Sequence, residues 1–221
     1  MRRKQLVAIF AIAPAILLGI IILTRTVYGA TPGSDGKEGK SAGHTPAAPS
    51  ALNTQGYSAS AYNSADTEFL VVFEDGRNEN WDIYAQRVDA DGTMLGSNFA
   101  IVASTGAEQE TDVAYNSSAA NEYLVVWNSY SDNKIYGQRV SATGPLAGTA
   151  FEISSGTAGK NSPTVDYSAG DNQYLVVWTE YISGQGSNIR GRRVASSGTL
   201  QGGVIDIAAT NDSESRPALS Y

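Results

Sequence analysis

The sequence contains no cysteine and only one histidine, and these two shortages exclude most of the common chemistry of protein active sites. Without cysteine there can be no disulfide, thiolate metal site, cysteine nucleophile or lipid anchor on cysteine. The histidine, His44, lies among small and polar residues, where we expect a solvated side chain rather than a catalytic or metal-binding one. Triads that need histidine are therefore not expected, and we predict neither a cofactor nor a metal. An enzyme working through paired carboxylates, as glycosidases do, stays possible.

Charged residues are also scarce, at 17% of the chain, and they are unevenly distributed. Four of the 15 basic residues and none of the 22 acidic ones lie within residues 1–30, so the remainder carries a net charge of −11. Nucleic acids and anionic membrane surfaces attract basic proteins, so neither is expected as a partner. Membrane contact is expected only through the N-terminal segment, if that segment is not removed.

Residues 1–30 are predicted to be a signal peptide or an N-terminal membrane anchor. The basic start Arg2-Arg3-Lys4 precedes an unbroken apolar run over residues 6–23. Cleavage after Gly29 fits the small and aliphatic residues before it, whereas the length of the run also suffices for a retained anchor. Both readings place the rest of the chain outside the cytoplasm, in an extracellular, periplasmic or cell-surface location. Residues 31–51, rich in Gly, Ser, Ala, Pro and Thr, predict a flexible linker.

Repeats fill residues 52–221. Three near-copies of one pattern align on Tyr62, Tyr115, Tyr167 and Tyr221, with spacings of 53, 52 and 54 residues. A period of this size built from short strands indicates a repeat architecture. The copies predict blades at about 58–103, 111–154 and 163–208, with the first strand of a fourth at 217–221.

Each copy predicts four strands, and the second strand is the most informative. Its core, such as Tyr123-Leu-Val-Val-Trp127, is apolar at successive positions, so both faces must be buried. A propeller blade between neighbouring blades has that environment. We therefore predict an all-β, β-propeller-type array of three four-stranded antiparallel blades, and a β-sandwich and a β-solenoid stay as alternatives. The predicted strands are 58–63, 68–73, 83–88 and 99–101 in the first copy, 111–116, 122–127, 135–140 and 151–153 in the second, and 163–168, 173–178, 189–194 and 205–207 in the third.

The strings Tyr123-Leu-Val-Val-Trp127 and Trp81-Asp-Ile-Tyr-Ala-Gln-Arg-Val-Asp-Ala-Asp-Gly92 resemble repeats of exported bacterial β-propeller proteins. The Trp-Asp-Ile-Tyr and Asp-Ala-Asp-Gly pieces are also distantly similar to blades of TolB-like propellers. The resemblance covers residues 52–221 and implies a propeller scaffold, without a particular activity. Closed propellers have at least four blades, so three copies predict open blade edges. We interpret the chain as a piece of a longer protein, and self-association of two chains into a six-bladed ring is the alternative.

Loops predict where a ligand would bind. Loops one–two and three–four share one face of a propeller, the first face, and they are alike in the three copies. Loops two–three (74–82, 128–134 and 179–188) and four–one (103–110, 154–162 and 208–216) share the second face and differ in length and chemistry. Scaffold loops should repeat whereas binding loops need not, so we predict ligand binding on the second face. Simple drift of surface loops is the alternative.

Candidate ligand-binding residues lie in the two–three loops. They combine carboxylates, amides, an arginine and aromatic rings, which sugar or cation recognition uses; the tyrosines could equally cap a blade edge. The candidates are Glu74, Asp75, Arg77, Asn78, Trp81, Tyr130, Asp132, Glu180 and Tyr181. No catalytic residue is assigned.

Two recurring features are predicted to be structural. The turn Asp89-Ala-Asp91-Gly92 resembles the start of a calcium loop, but the remaining ligands of such a loop do not follow. Arg87, Arg139 and Arg193 occupy the same strand position in each copy, so we expect them to bind neighbouring strands rather than a ligand.

These patterns predict an exported binding or scaffold module for protein or polysaccharide ligands. A carboxylate-dependent, hydrolase-like propeller that acts on glycans is the alternative, and a surface spacer without a ligand is a third possibility.

Overall fold

The computed structural model describes residues 54–184, 186–210 and 212–220, so the predicted leader, the predicted linker and Tyr221 lie outside the described residues. The described residues form strands and turns, and no helix among them could span a membrane. The twelve strands are β1 (Gln55–Asn63), β2 (Glu68–Asp75), β3 (Asp82–Asp89), β4 (Met94–Val102), β5 (Glu108–Asn116), β6 (Glu122–Ser129), β7 (Lys134–Ser141), β8 (Leu146–Glu152), β9 (Lys160–Ser168), β10 (Gln173–Ile182), β11 (Gly186–Ala195) and β12 (Leu200–Ala208).

The strands make three antiparallel sheets, each with its four strands in chain order. We name β1–β4 blade one, β5–β8 blade two and β9–β12 blade three. The first strand of blade two, β5, contacts both β1 and β9. The first strands therefore lie side by side at a common axis, with the later strands of each blade farther out. This arrangement confirms the predicted propeller-type array.

The hydrophobic cores lie between adjacent blades. Leu70, Val72 and Ile83 of blade one pack with Tyr123 and Val125 of blade two, and all five are completely buried. A similar cluster joins blades two and three. Burial of each such side chain contributes about 1.5–3 kcal/mol. The prediction that the second strand is covered on both faces is confirmed for the middle blade, because β6 is buried continuously over residues 123–129. In blade one, β2 alternates between buried and more exposed residues, since one of its faces has no neighbouring blade among the described residues.

Two repeated arginines join the blades on the first face. The Arg87 guanidinium binds both carboxylate oxygens of Glu68, at 3.0 and 2.6 Å, and donates from Nη1 to the Thr143 carbonyl in the three–four turn of blade two at 3.1 Å. Arg139 makes the same kind of contact with the Ser197 carbonyl in blade three, at 2.5 Å. The recurring arginine is thus a structural link, as predicted, at both junctions between blades.

The first strands begin earlier than predicted because each contains a β-bulge. They start at Gln55, Glu108 and Lys160, and their pairing registers shift close to the second face. Glu110 and Ser162 adopt positive φ values of 54° and 49° at the bulges. A bulge adds one unpaired residue and redirects its side chain. Neither residue is a glycine, so the sequence carried no turn signal there.

The outer strands are also longer than predicted. Gly96, Gly148 and Gly202 have positive φ values of 72°, 76° and 65° and lie inside β4, β8 and β12. At these positions the register shifts without ending the strand. A glycine bulge on an edge strand also hinders pairing with another chain.

The second strands extend beyond the predicted boundaries at the second face. Glu74, Asp75, Glu180 and Tyr181 were expected in loops and instead lie within β2 and β10. The two–three loops are correspondingly shorter, at residues 76–81, 130–133 and 183–185.

Residues 212–220 belong to no sheet, although 217–221 were predicted to form the first strand of a fourth blade. Glu214 N donates to the Ser187 carbonyl at 2.7 Å, and Arg216 repeats the positive φ of the earlier bulges at 56°. The segment thus follows the inner edge of blade three without a second strand to pair with among the described residues.

Candidate functional site

A cleft opens at the axis on the second face, where the first strands begin. Its volume is about 610 Å³, and we call it the axial cleft. Most of its lining residues are polar or charged, and Tyr57 and Pro163 add apolar surface. The lining residues are Tyr57, Ser58, Glu110, Thr111, Asn161, Ser162, Pro163, Ser215 and Arg216. The same inner strands continue below it around a narrower space of about 410 Å³, which we call the axial channel.

Four of the lining residues occupy one position of the repeat. Tyr57, Glu110, Ser162 and Arg216 follow each other at the repeat spacing of 53, 52 and 54 residues. Glu110 and Ser162 adopt positive φ at the bulges, and Arg216 adopts positive φ outside any strand. Bulges that turn side chains toward a common point are frequent beside binding sites. The scaffold therefore presents an aromatic ring, a carboxylate, a hydroxyl and a guanidinium around one axis.

Side chains of neighbouring strands accept the backbone N–H groups of the positive-φ residues Glu110, Ser162 and Arg216. Glu74 Oε1 accepts from Glu110 N at 2.6 Å, and Glu110 Oε2 accepts from Ser162 N at 2.7 Å. Thr179 Oγ1 accepts from Arg216 N at 3.2 Å. These hydrogen bonds link all three blades, so they fix the shape of the cleft.

The carboxyl group of Glu74 lies behind the cleft rather than in it. Glu74 is 1% exposed, and this burial raises its pKa although the backbone N–H groups of Glu110 and Tyr57 oppose the effect. The neighbouring Glu110 charge raises the pKa further. Burial also raises the pKa of the Tyr130 hydroxyl, as does the charge of Glu110. Glu110 in the cleft lining thus lies close to both the buried carboxyl of Glu74 and the hydroxyl of Tyr130.

Asp75, Arg77 and Asn78 have partners within blade one, whereas Trp81, like Glu74, contacts the backbone of blade two. Asp75 is buried and binds Arg77 Nη2 at 2.6 Å, which lowers the Asp75 pKa. The Arg77 guanidinium lies 3.9 Å from the centre of the Tyr84 ring, and Asn78 donates to Asp82 at 2.7 Å. The half-buried Trp81 uses its carbonyl to accept from Glu108 N at 2.8 Å. These contacts brace the two–three loop and do not bring its residues into the axial cleft.

Three predicted residues of blades two and three also lie away from the cleft lining. Asp132 accepts from the Tyr136 hydroxyl at 2.7 Å. Glu180 accepts from Trp178 Nε1 at 3.1 Å, so it braces a buried ring. Tyr181 is 58% exposed at the position equivalent to Tyr130. Their role in binding stays a prediction.

Sequence reasoning missed Tyr57, Glu110 and Arg216. Glu110 and Arg216 end two of the predicted four–one loops, and Tyr57 directly precedes the first predicted strand, whereas the predicted candidates all lie in the two–three loops. One available signal was the comparison between copies: this position differs in every copy, whereas the tyrosine five positions later recurs in each of them. The positive φ at a non-glycine bulge had no counterpart in the sequence.

Within the described residues, no group of three or more histidine, aspartate or glutamate side chains is arranged to hold a metal ion. Asp112, which lines the axial channel, accepts from Thr164 Oγ1 at 2.8 Å and Val165 N at 2.9 Å. Its carboxylate therefore ties blade two to blade three.

No protein-family model matches the chain, and no curated protein matches it. Solved structures with a partly similar chain path include an exo-β-1,3-galactanase from Phanerochaete chrysosporium, at 12% identity over 68% of this chain and 35% of that one, with a TM-score of 0.47. A subtype N10 neuraminidase-like protein of A/little yellow-shouldered bat has 12% identity, coverages of 71% and 46% and a TM-score of 0.47. An endo-arabinase from Bacteroides thetaiotaomicron has 13% identity, coverages of 64% and 59% and a TM-score of 0.45.

The chain thus spans about a third to three fifths of the length of these proteins. Similarity at this level carries no argument about activity, and the propeller-type fold rests on the three sheets themselves. The resemblance to exported bacterial repeats and TolB-like propellers is not confirmed by these comparisons.

Proposed function

We propose that the chain is an exported β-propeller binding module that holds a polysaccharide in the axial cleft. The observation that carries this proposal is the cleft itself: it measures about 610 Å³, most of its lining residues are polar, and the exposed Tyr57 lies in the lining while the exposed Tyr130 lies close to Glu110. Ligand sites commonly have volumes of about 300–1,000 Å³. A protein loop is the other ligand that such a cleft would admit.

The chemistry of the lining favours a sugar over an apolar ligand. Hydroxyl groups of Ser58 and Ser162, the amide of Asn161 and the Glu110 carboxylate supply donors and acceptors for sugar hydroxyls. The Tyr57 ring is 71% exposed and offers a flat apolar face for a pyranose ring. The backbone contacts that fix Glu110 keep its carboxylate in place before binding, which lowers the entropic cost of association.

Binding of the full chain to a panel of soluble polysaccharides, measured by calorimetry, tests the proposal. Tyr57→Ala and Glu110→Gln should each weaken binding about tenfold, equivalent to about 1.4 kcal/mol. Met94→Ala is the matched control, because Met94 is 65% exposed on the first face. Equal affinities of the Tyr57 and Met94 variants would remove the axial cleft as the site. Binding of peptides but not glycans would favour the protein ligand.

A glycan hydrolase is the second candidate, and the pair Glu74 and Glu110 favours it. In glycosidases that use two neighbouring carboxyl groups, the one with the raised pKa donates a proton and the other stabilises charge, and burial raises the pKa of Glu74. Glu74 lies behind the cleft surface, so a substrate would have to reach it past Glu110. Reducing-end release from the bound polysaccharide, lost in Glu74→Gln and in Glu110→Gln, would establish hydrolysis. Binding without release would leave the module non-catalytic.

Export is proposed from residues 1–30 alone. Expression of the full chain in a Gram-negative host, followed by N-terminal sequencing of the periplasmic product, should give a start at residue 30. A product that keeps Met1 in the membrane fraction would indicate the retained anchor instead.

A further inference from the structure

The same set of contacts joins adjacent blades on the first face at each junction. At the first junction, the positive-φ turn glycine Gly144 packs on Arg87 and Phe99: a Cβ at this position would lie 3.4 Å from Arg87 Cδ and 3.6 Å from Phe99 Cε1. The carbonyl before it, of Thr143, accepts from Arg87. At the second junction Gly198 packs on Arg139 in the same way: a Cβ at Gly198 would lie 3.0 Å from Arg139 Cδ. An arginine with a large apolar neighbour in one blade therefore holds a glycine turn of the next.

Blade three has the same arrangement on its outer face, and among the described residues no glycine turn of another blade contacts it; Leu219 and Ser220 line a pocket together with Arg193 and Ile205. Arg193 stands at the position of Arg87 and Arg139, is exposed, and has neither an ion pair nor a hydrogen bond to a described residue. Ile205 is 39% exposed, and Ile207 is 49% exposed. By contrast Ile153, equivalent to Ile207 in blade two, is completely buried. This face of blade three therefore carries the residues that form the other junctions, but no neighbouring blade covers it among the described residues.

Blade one presents the complementary turn. A Cβ at Gly92, whose φ is 91°, would have no heavy atom within 4 Å, whereas its equivalents touch an arginine. The open face of the same blade exposes Phe69 and Tyr62, at 36% and 46%. Tyr123, which occupies the position of Phe69 in blade two, is completely buried. Both halves of one more junction thus exist in this chain, at opposite ends of the array.

The charges of the two free halves also match. At the first junction the arginine has a carboxylate partner in its own blade, Glu68, and meets a neutral turn at Thr143. At blade three the partner position holds Gln173, so Arg193 has no carboxylate there. The equivalent turn position in blade one is Asp91, an exposed acid. In a junction between blade three and blade one, Asp91 would thus supply the carboxylate partner that Arg193 lacks in its own blade.

We propose that two copies of this chain associate through these faces, with blade three of each copy on blade one of the other, so that Arg193 pairs with Asp91. Two identical junctions related by a two-fold axis close the ring at six blades, within the range of known propellers. Closure also removes both exposed apolar faces, which would otherwise promote aggregation.

Residues 212–220 lie where the first strand of the incoming blade one would sit. They form no strand ladder, and their backbone is held by Glu214 N on the Ser187 carbonyl and by Arg216 N on Thr179. Association therefore requires this segment to leave the inner edge of blade three. The segment competes with the second copy, so shortening it should tighten the dimer.

Sedimentation equilibrium of the full chain, in a density-matched mild detergent that disperses residues 6–23, measures the association. We expect a monomer–dimer equilibrium in which Arg193→Glu and Asp91→Arg each raise the dissociation constant at least about tenfold, as for other close interfacial charge pairs. The two changes combined should restore it to within about threefold, because the pair is then reversed rather than broken. Glu79→Arg, on an exposed residue of the second face, is the control and should leave the constant unchanged.

A chain ending at residue 211 should dimerise more tightly than the full chain. A monomer at every concentration up to about 100 μM would overturn the proposal, since an interface of two such junctions should hold below that concentration. Failure of the reversed pair to restore association would also overturn it. Unchanged or weaker association of the shortened chain would overturn the placement of blade one at this edge.

Discussion

Arg139 holds blades two and three together, and its replacement by alanine tests how these blades stabilise each other. Its guanidinium binds Glu122 at 2.8 and 3.1 Å and the Ser197 carbonyl at 2.5 Å. The arginine side chain is 25% exposed and the glutamate side chain 14% exposed, so solvent screens the ion pair in part. We assign about 1 kcal/mol to the partly screened pair and about 1.5 kcal/mol to the charged hydrogen bond across the junction. Arg139→Ala should therefore lower the free energy of unfolding by about 2–3 kcal/mol.

Urea denaturation followed by tryptophan fluorescence measures this change, because Trp178 is buried in the cluster between the same blades. The chain provides its own control in Arg193, which has the same repeat position but no partner among the described residues. Arg193→Ala should cost less than about 0.5 kcal/mol under conditions where the chain is monomeric. Equal losses in the free energy of unfolding for the two variants would refute the view that the arginine stabilises the fold through its contact between blades rather than through its strand position.

Two further predictions concern the axis. Gly56→Ala would place a Cβ against Glu74 Oε2 and displace the carboxyl that accepts a hydrogen bond from Glu110 N, so it should lower the free energy of unfolding in urea by about 1 kcal/mol. Gly203→Ala, with open space around it, is the control and should change this free energy by less than about 0.5 kcal/mol. Burial raises the pKa of Asp112, although Val165 N opposes this, so the folded state binds the proton more readily than the unfolded state. The stability that this carboxyl contributes is thus greatest at low pH and is lost as pH rises through its folded pKa. The stability of Asp112→Asn relative to wild type should therefore increase as pH rises from the ordinary aspartate pKa through the raised pKa of the folded state, and a constant difference would contradict the raised pKa.

The repeat made much of the fold predictable. Adjacent apolar residues such as Val125-Val126 point to opposite faces of a strand, so both can be buried only if a layer covers each face. The second strand of each copy was therefore enough to predict that the blades pack against one another. The arginine recurring with Gln-Arg-Val was correctly interpreted as structural because its position never varied. Strand boundaries were less predictable, since Gly96 suggests a turn in the sequence but forms a bulge inside β4.

The candidate site was predictable only in its general location. Glu74 follows an apolar strand and is charged, which suggests a loop, yet it continues β2 and directs its carboxyl inward to a backbone N–H group. Glu110 belongs to a different blade and reaches the axis through a left-handed bulge, which local pattern does not reveal. The second face was identified by comparing loops, whereas the convergence of Tyr57 and Glu110 depends on how the blades are arranged about the axis.

The placement of function at the axial cleft can be tested by hydrogen–deuterium exchange of the full chain with and without a bound polysaccharide. We predict slower exchange in residues 55–58, 108–111 and 160–163, which surround the cleft, and no change in the three–four turns at Gly92 and Gly144 on the first face. Protection confined to those turns or to the outer strands, with the cleft segments unaffected, would contradict the account.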